Sequence, residues 1–315
     1  MTGPPRHRHS SKDWWPLIKG TTTAWVADYA PSMGAALSYY CVFSLAPLLL
    51  IVISVAGLVF GQEAVRGEVF MQLQGLLGSE ASSAVEGLLA SVSKPAEGVA
   101  STAIGVVLLL LGATSVFGEL QDALDRIWRA PARDHAGGLW GLVRARLLSF
   151  GMILGVAFLL VVSLVFSAVV AALGKWWSGA LGDWAVLAQL FDLVAGFVLT
   201  TTVFAMIYKI MPRVSVKWRD VWLGAVVTSV LFTAGRFLIG MYIGRSNLAS
   251  GFGAAGSLIV VFVWVYYSAQ IFLLGAEFTW IYARTFGSMR DLQPQLLAKT
   301  AAAAPSFATD KALAP

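Results

Sequence analysis

Residues 221–243 read "VWLGAVVTSVLFTAGRFLIGMYI", a predominantly apolar run that contains one charged side chain, Arg236. About 20 such residues, rising 1.5 Å each in a helix, cross the roughly 30 Å of hydrocarbon in a bilayer. A guanidinium at the centre of such a helix costs about 2.5–3.5 kcal/mol, so it faces a partner, water or a bundle interior. The stretch therefore predicts a membrane helix that belongs to a bundle.

The composition agrees. Of the 315 residues, 58% are hydrophobic and 12% charged, about half the charge of a soluble domain. Too little polar surface remains to cover a water-facing globule. The 12 Trp fit bilayer interfaces and the 31 Gly fit close helix crossings. The lone Cys41 lies in an apolar run and reads as packing, since one cysteine builds neither a disulfide framework nor a thiolate metal site.

Six stretches qualify as spans or nearly so: 33–60, 100–117, 148–173, 186–211, 221–243 and 256–282. None alternates with the two-residue period of an outer-membrane strand. Helices satisfy their own backbone in lipid. The fold class is all-α, a polytopic membrane bundle of six transmembrane helices with amphipathic interfacial helices. The 22 Lys and Arg are unevenly spread; the loops on one side hold only Arg66, Lys94, Lys175 and Arg245. The other side holds the basic N-terminal tail, Arg126 to Arg146, Lys209 to Arg219, and the C-terminal tail. This bias predicts that both termini lie in the cytoplasm. It also explains the net charge of +5 without nucleic acid as a partner; lipid head groups are the expected partners.

Between the spans, "GELQDALDRIWRAPAR" (118–133) places Leu120, Leu124, Ile127 and Trp128 on one helical face and Glu119, Asp122, Arg126 and Arg129 on the other. It predicts a cytoplasmic surface helix over 118–130, ended by Pro131. "DWWPLIKGTTTAW" (13–25) predicts a second interfacial segment. Residues 62–98 predict a helical hairpin broken near Gly78 that covers the outer mouth. The domains expected are a tail with interfacial helix (1–32), the membrane domain (33–284) and a mostly disordered tail (285–315).

Several polar residues fall within the spans. Arg236 and Asp192, each about 10 Å below the outer surface at 1.5 Å per residue, are expected at matching depth as a pair. That pair is either an interhelical clamp or the lining of a polar cavity. Glu277, Lys209, Gln270, Tyr39 and Tyr40, with Ser38, Ser44 and Thr200 to Thr202, are candidates for a wet pocket open to the cytoplasm, although Ser and Thr also bond within their own helices. Pro47 removes a backbone bond within the first span and is the candidate hinge. The pairs Gly57/Gly61, Gly151/Gly155 and Gly240/Gly244 mark close helix packing, within the chain or between copies in a homo-oligomer.

No HExxH, paired-Cys or Gly-x-Ser-x-Gly motif occurs, and His7, His9 and His135 all lie outside the spans. The glycine-rich "SGFGAAGS" (250–257) lacks the Lys-Ser/Thr of a phosphate loop. No enzymatic activity, metal or cofactor is expected.

The segments "ALSYYCVFSLAPLLLIV" (36–52), "ELQDALDRIWRAPAR" (119–133), "WRDVWLGAVVTSVLFTAGRFLIGMYI" (218–243) and "GFGAAGSLIVVFVWVYYSAQIFLLGAEFTWIYAR" (251–284) resemble the YihY/virulence factor BrkB family over most of residues 20–285. The resemblance implies a six-span protein of the bacterial cytoplasmic membrane. It implies a role in the envelope, since members are connected with serum resistance and one branch with export of lipid A precursors. An older ribonuclease BN label in that family finds no metal-ligand cluster here to support it. Gly275, Ala276 and Glu277 match the family's "GAE" signature; no catalytic residue carries over. The expected function is transport or flipping of an anionic lipid or lipid-linked precursor through a pocket between the first, fourth, fifth and sixth helices. In it Arg236 is anion contact or clamp, Asp192 its counter-charge, and Glu277 inner gate or proton carrier. The alternative is a structural scaffold of the envelope.

Overall fold

A computed structural model describes residues 14–77, 79–92, 115–131, 184–214, 216–245 and 256–290. Every regular element among them is a helix: α1 (Trp14–Ala27), α2 (Ala30–Phe60), α3 (Gln62–Leu77), α4 (Ser79–Val92), α5 (115–127), α6 (Trp184–Ile210), α7 (Trp218–Arg245) and α8 (Gly256–Thr285). The expected spans over 100–117 and 148–173 lie outside the described residues, apart from 115–117 at the start of α5. Among the described residues, three helices are long and apolar enough to cross a membrane, over Leu193–Ile210, Trp218–Ile243 and Leu258–Thr285. Residues 33–60, the first expected span, lie in α2, one helix of 31 residues that continues through Pro47; that proline's side chain lies outside the described ones. Pro31 stands in the first turn of α2, where its missing N–H removes no helical bond.

The axis of the molecule is α8, which packs against α1, α2, α4 and α7, while α6 packs along α7. Two apolar cores are strung along it, outer and inner in the orientation that the basic loops predict. The outer core joins Val42, Leu49 and Ile53 of α2, Val85 and Leu89 of α4, Ile239 and Ile243 of α7, and Val260, Val261 and Trp264 of α8. The inner core joins Met33 and Leu37 of α2, Leu124, Ile127 and Trp128 from α5 and its end, Tyr208 of α6, Val221 and Ala225 of α7, and Leu273, Ala276 and Trp280 of α8. Helix α4 is thus inserted between the outer ends of α2, α7 and α8, and α5 is seated at their inner ends.

The faces follow the sequence pattern. Leu124, Ile127 and Trp128 are fully buried, and Asp122, Arg126 and Arg129 are exposed. Helix α1 buries Leu17 and Thr21 against α8 and leaves Trp14, Trp15, Ile18 and Val26 exposed, an apolar stripe suited to a bilayer interface. On α6 and α7, Leu193, Val194, Val198, Val230, Phe237, Leu238 and Tyr242 are exposed. So broad an apolar face on a monomer marks contact with lipid or protein.

Close packing of α7 on α8 depends on two glycines facing hydroxyls of the opposite helix. A Cβ at Gly224 would collide with Thr279, and one at Gly275 with Thr228 and the Tyr208 hydroxyl. Without a hydrophobic drive between helices in lipid, such contacts and their hydrogen bonds hold a bundle together. Tyr208 Oη donates to the Phe272 carbonyl at 2.7 Å and lies 3.2 Å from Thr228 Oγ1. Gly57 and Gly61 sit instead at the corner between α2 and α3. The Gly61 N–H donates to the Gly57 carbonyl, and a φ of 85° at Gly61 turns the chain where a side chain would be strained. No described atom lies within 4 Å of a Cβ built at Gly240. Gly244 is described in backbone only, and Gly151 and Gly155 lie outside the described residues.

Candidate functional site

At the inner end of α8, three consecutive residues do three different things. Gly275 admits Thr228, the Ala276 carbonyl accepts the Trp128 indole N–H at 3.2 Å, and Glu277 turns toward Asp28 and Arg129. Glu277 is 0% exposed, and neither of its carboxylate oxygens has a hydrogen-bond partner. Asp28, in the turn between α1 and α2, is buried too; its Oδ1 accepts Arg129 Nη1 at 2.6 Å and its Oδ2 has no partner. Arg129 approaches from the end of α5, with its side chain 52% exposed. One buried carboxylate, one ion pair and one route to water therefore meet where three chain segments converge.

Local backbone geometry singles out the same place. Among the described residues the non-glycine positions with positive φ are Tyr29 (58°) and Arg129 (51°). Arg129 ends α5 in a left-handed turn, with the Ala130 N–H bonded back to the Asp125 carbonyl at 2.8 Å. Glycine usually occupies such a position, and an L side chain there costs roughly 1–2 kcal/mol. The strain is held where Arg129 reaches Asp28. Tyr29 is left-handed at the joint of α1 and α2, and the Arg126 guanidinium lies 5.4 Å from the centre of its ring. Strained residues of this kind concentrate at sites where the surrounding structure fixes them for a purpose.

A second polar layer lies between the two cores. A Cβ at Gly235 would meet Tyr267 and Ile271, which sets Arg236, half-buried on α7, at their level on α8. Six to ten residues separate that level from Glu277, roughly 9–15 Å along the axis. The Gln270 Oε1, buried and without a partner, lies at the same level on α8; the Ser229 Oγ, also buried and without a partner, sits beside Thr228, roughly 10 Å nearer the inner end of α7. Gln270 is close against the start of α2, where Gly34 makes room for its amide and the Ala30 and Pro31 carbonyls lie 3.5 Å from its Nε2.

The other candidates fall elsewhere. Lys209 folds back onto the α6–α7 connection, where its Nζ donates to the Val216 carbonyl and lies 5.9 Å from the Trp218 ring centre. Tyr39 is 53% exposed on α2 and contacts Tyr40 and Phe43. Ser38, Ser44 and Thr200 to Thr202 each bond a carbonyl three or four residues back in their own helix. The side chain of Asp192 lies outside the described ones, and with it the expected pair with Arg236.

Asp28 and the role of Arg129 were not apparent from sequence. Asp28 stands in a two-residue turn with no periodic context, and Arg129 reads as one more exposed charge of an amphipathic helix. The available signal was the triplet Asp28-Tyr29-Ala30 ahead of Pro31, which marks a joint between helices.

The sequence model of the family described as Virulence factor BrkB matches residues 21–298. The chain is similar to a UPF0761 membrane protein of Psychrobacter sp. (strain PRwf-1), 24% identical over 90% of this chain and 51% of the relative. Similar proteins of the same description occur in Klebsiella pneumoniae (strain 342), 30% identical over 62% of this chain and 63% of the relative, and in Pseudomonas aeruginosa (strain LESB58), 28% identical over 80% and 59%. The chain thus spans about half to just under two-thirds of these relatives' lengths. No solved structure matches.

Proposed function

The chain belongs to the virulence factor BrkB family of membrane proteins, and on that premise we propose that it moves an anionic lipid or lipid-linked envelope precursor across the bacterial inner membrane. In this reading six spans cross the membrane, both termini face the cytoplasm, and no covalent chemistry is performed. The layer between the two cores, with Arg236 and Gln270, meets the polar head of the substrate. Arg236 offers a planar fork matched to phosphate or carboxylate. The junction of Asp28, Arg129 and Glu277 is the inner gate.

The observation that carries the reading is Glu277, a fully buried carboxylate with both oxygens unpaired. Buried polar groups in static structures are paired almost without exception, and an unpaired ion is expensive. A gate that must leave one state for another has a use for such a group. The ion pairs Arg129–Asp28 and Arg213–Asp125, which pin α5 from two sides, favour a second reading in which the protein is an envelope scaffold with no substrate path.

Reconstitution in vesicles containing a fluorescent anionic phospholipid separates the two. Transport predicts lipid movement above that of empty vesicles, with a loss of tenfold or more in Arg236→Ala and in Glu277→Gln. Wild-type protein that moves lipid no faster than empty vesicles, while folded, would leave the scaffold.

A further inference from the structure

We propose that Asp28 and Glu277 together form a one-proton site, a carboxyl–carboxylate pair whose proton holds α5 against the inner end of α8. The proposal deepens the reading of this junction as an inner gate and names the ligand that works it.

The unpaired atoms are Asp28 Oδ2 and both oxygens of Glu277. All three are acceptors, so what the junction lacks is a donor. No described donor on the neighbouring elements gives a hydrogen bond to these three oxygens. From the end of α5, Arg129 donates to Asp28 Oδ1, Trp128 donates to the Ala276 carbonyl, and Arg126 lies over Tyr29. From α6, Tyr208 donates to the Phe272 carbonyl and Lys209 to the Val216 carbonyl. On α7, Asp220 is itself an acceptor, bonded by the Ser288 N–H, and Arg284 of α8 lies over Trp280. The Trp25 indole N–H of α1 is buried and reaches no acceptor.

A single proton supplies the missing donor. Placed on Glu277 it is shared with Asp28 Oδ2, while Arg129 stays on Oδ1. The junction then holds one cation, one anion and one neutral acid. Two carboxylates sharing a buried site do not both ionise at low cost, and one of them takes up a proton. No group of three or more Asp, Glu, His and Cys that could hold a metal ion occurs among the described residues, and the guanidinium already beside Asp28 disfavours a second cation. When the proton leaves the Glu277 carboxyl for water past the half-exposed Arg129, two adjacent anions face one cation. Their repulsion pushes the α1–α2 turn and α8 apart and loosens the seat of α5.

Infrared spectroscopy of the full chain in lipid nanodiscs tests this without any assay of transport. In near-neutral buffer the wild-type spectrum should contain a protonated-carboxyl C=O band that Glu277→Gln removes and alkaline buffer abolishes. Asp28→Asn should also remove it, because the freed Arg129 then pairs with an ionised Glu277. Expressed as protection factors, which remove the base-catalysed rise of intrinsic exchange, alkaline buffer should lower protection over 115–127 severalfold in the wild type and leave Glu277→Gln, neutral at every pH, unchanged. Absence of such a band from the wild type, or its survival in Glu277→Gln, overturns the proposal. So does protection of 115–127 at alkaline pH that sodium restores and N-methylglucamine does not, which would assign the site to a metal cation. Should Glu277→Gln fail to fold, Asp28→Asn and the alkaline loss of the wild-type band decide the matter. The band intact in a protein that moves no lipid would sink the transport reading alone; lipid movement without the band would sink the proton site alone.

Discussion

At the scale of single residues, the contact between α7 and α8 is set by what is missing at Gly224 and Gly275. A methyl at Gly275 has no room beside Thr228 and Tyr208, both fully buried. Overpacking of this kind costs typically 1–3 kcal/mol. Gly275→Ala is therefore expected to lower the thermal unfolding midpoint in detergent. Gly240→Ala is the control, since its Cβ meets no described atom. It should be neutral or raise stability by up to about 1 kcal/mol through helix propensity. A drop for Gly240→Ala equal to that for Gly275→Ala would point to a contact at Gly240 from another copy of the chain. The small-residue spacing in the sequence pointed to Gly57/Gly61 and Gly240/Gly244. Spacing along one helix reports that a close approach is possible; the side chain that arrives from the other helix decides where it happens. Gln270 at Gly34, Thr279 at Gly224 and Thr228 at Gly275 are the residues that decided it here, and none is coded near its glycine.

At the scale of elements, α5 was legible as an amphipathic helix because its apolar residues recur with helical period, and Leu124, Ile127 and Trp128 are buried as that pattern requires. Where it docks was not legible, because the anchors lie about a hundred residues away on either side. Arg129 reaches back to Asp28, and Asp125 accepts the Arg213 backbone N–H at 2.9 Å and its guanidinium at 3.3 Å. These anchors are unequal. The Asp125–Arg213 pair is partly exposed, and exposed pairs contribute about 0.2–1 kcal/mol. Arg129 is half-exposed but holds a buried carboxylate, and a hydrogen bond to a charged group contributes about 1.5–3 kcal/mol before solvent screening is discounted. Arg129→Ala should therefore destabilise the protein by about 1–2 kcal/mol and Arg213→Ala by less. In limited proteolysis Arg129→Ala should open the segment around α5 to cleavage. Asp28→Asn combined with Arg129→Ala should recover part of the loss, because the neutral amide needs no counter-ion. Equal effects of the two arginine substitutions would mean that burial of Asp28 adds nothing to its bridge.

At the scale of the whole molecule, the arrangement of cores and charges predicts how the protein is oriented in its membrane. The exposed apolar faces of α6 and α7 lie between a basic connection carrying Lys209, Arg213, Lys217 and Arg219 and the opposite end, where the α3–α4 hairpin sits against the outer core. Basic loops stay on the cytoplasmic side because translocating them is disfavoured. On that rule the α6–α7 connection and the carboxyl junction beside it are expected to face the cytoplasm, and α3 and α4 to face outward. Single-cysteine variants in a Cys41→Ser background test this directly. Met71 of α3 and Lys217 are both exposed, so a cysteine at either position is open to reagent. A membrane-impermeant maleimide should label Met71→Cys in spheroplasts and Lys217→Cys only after the membrane is opened. The reverse pattern would turn the molecule over and place the junction of Asp28, Arg129 and Glu277 on the outer side. A proton leaving that junction would then meet the opposite face of the gradient, so the sidedness of this labelling also fixes the direction in which the inferred site could couple proton flow to movement of a lipid.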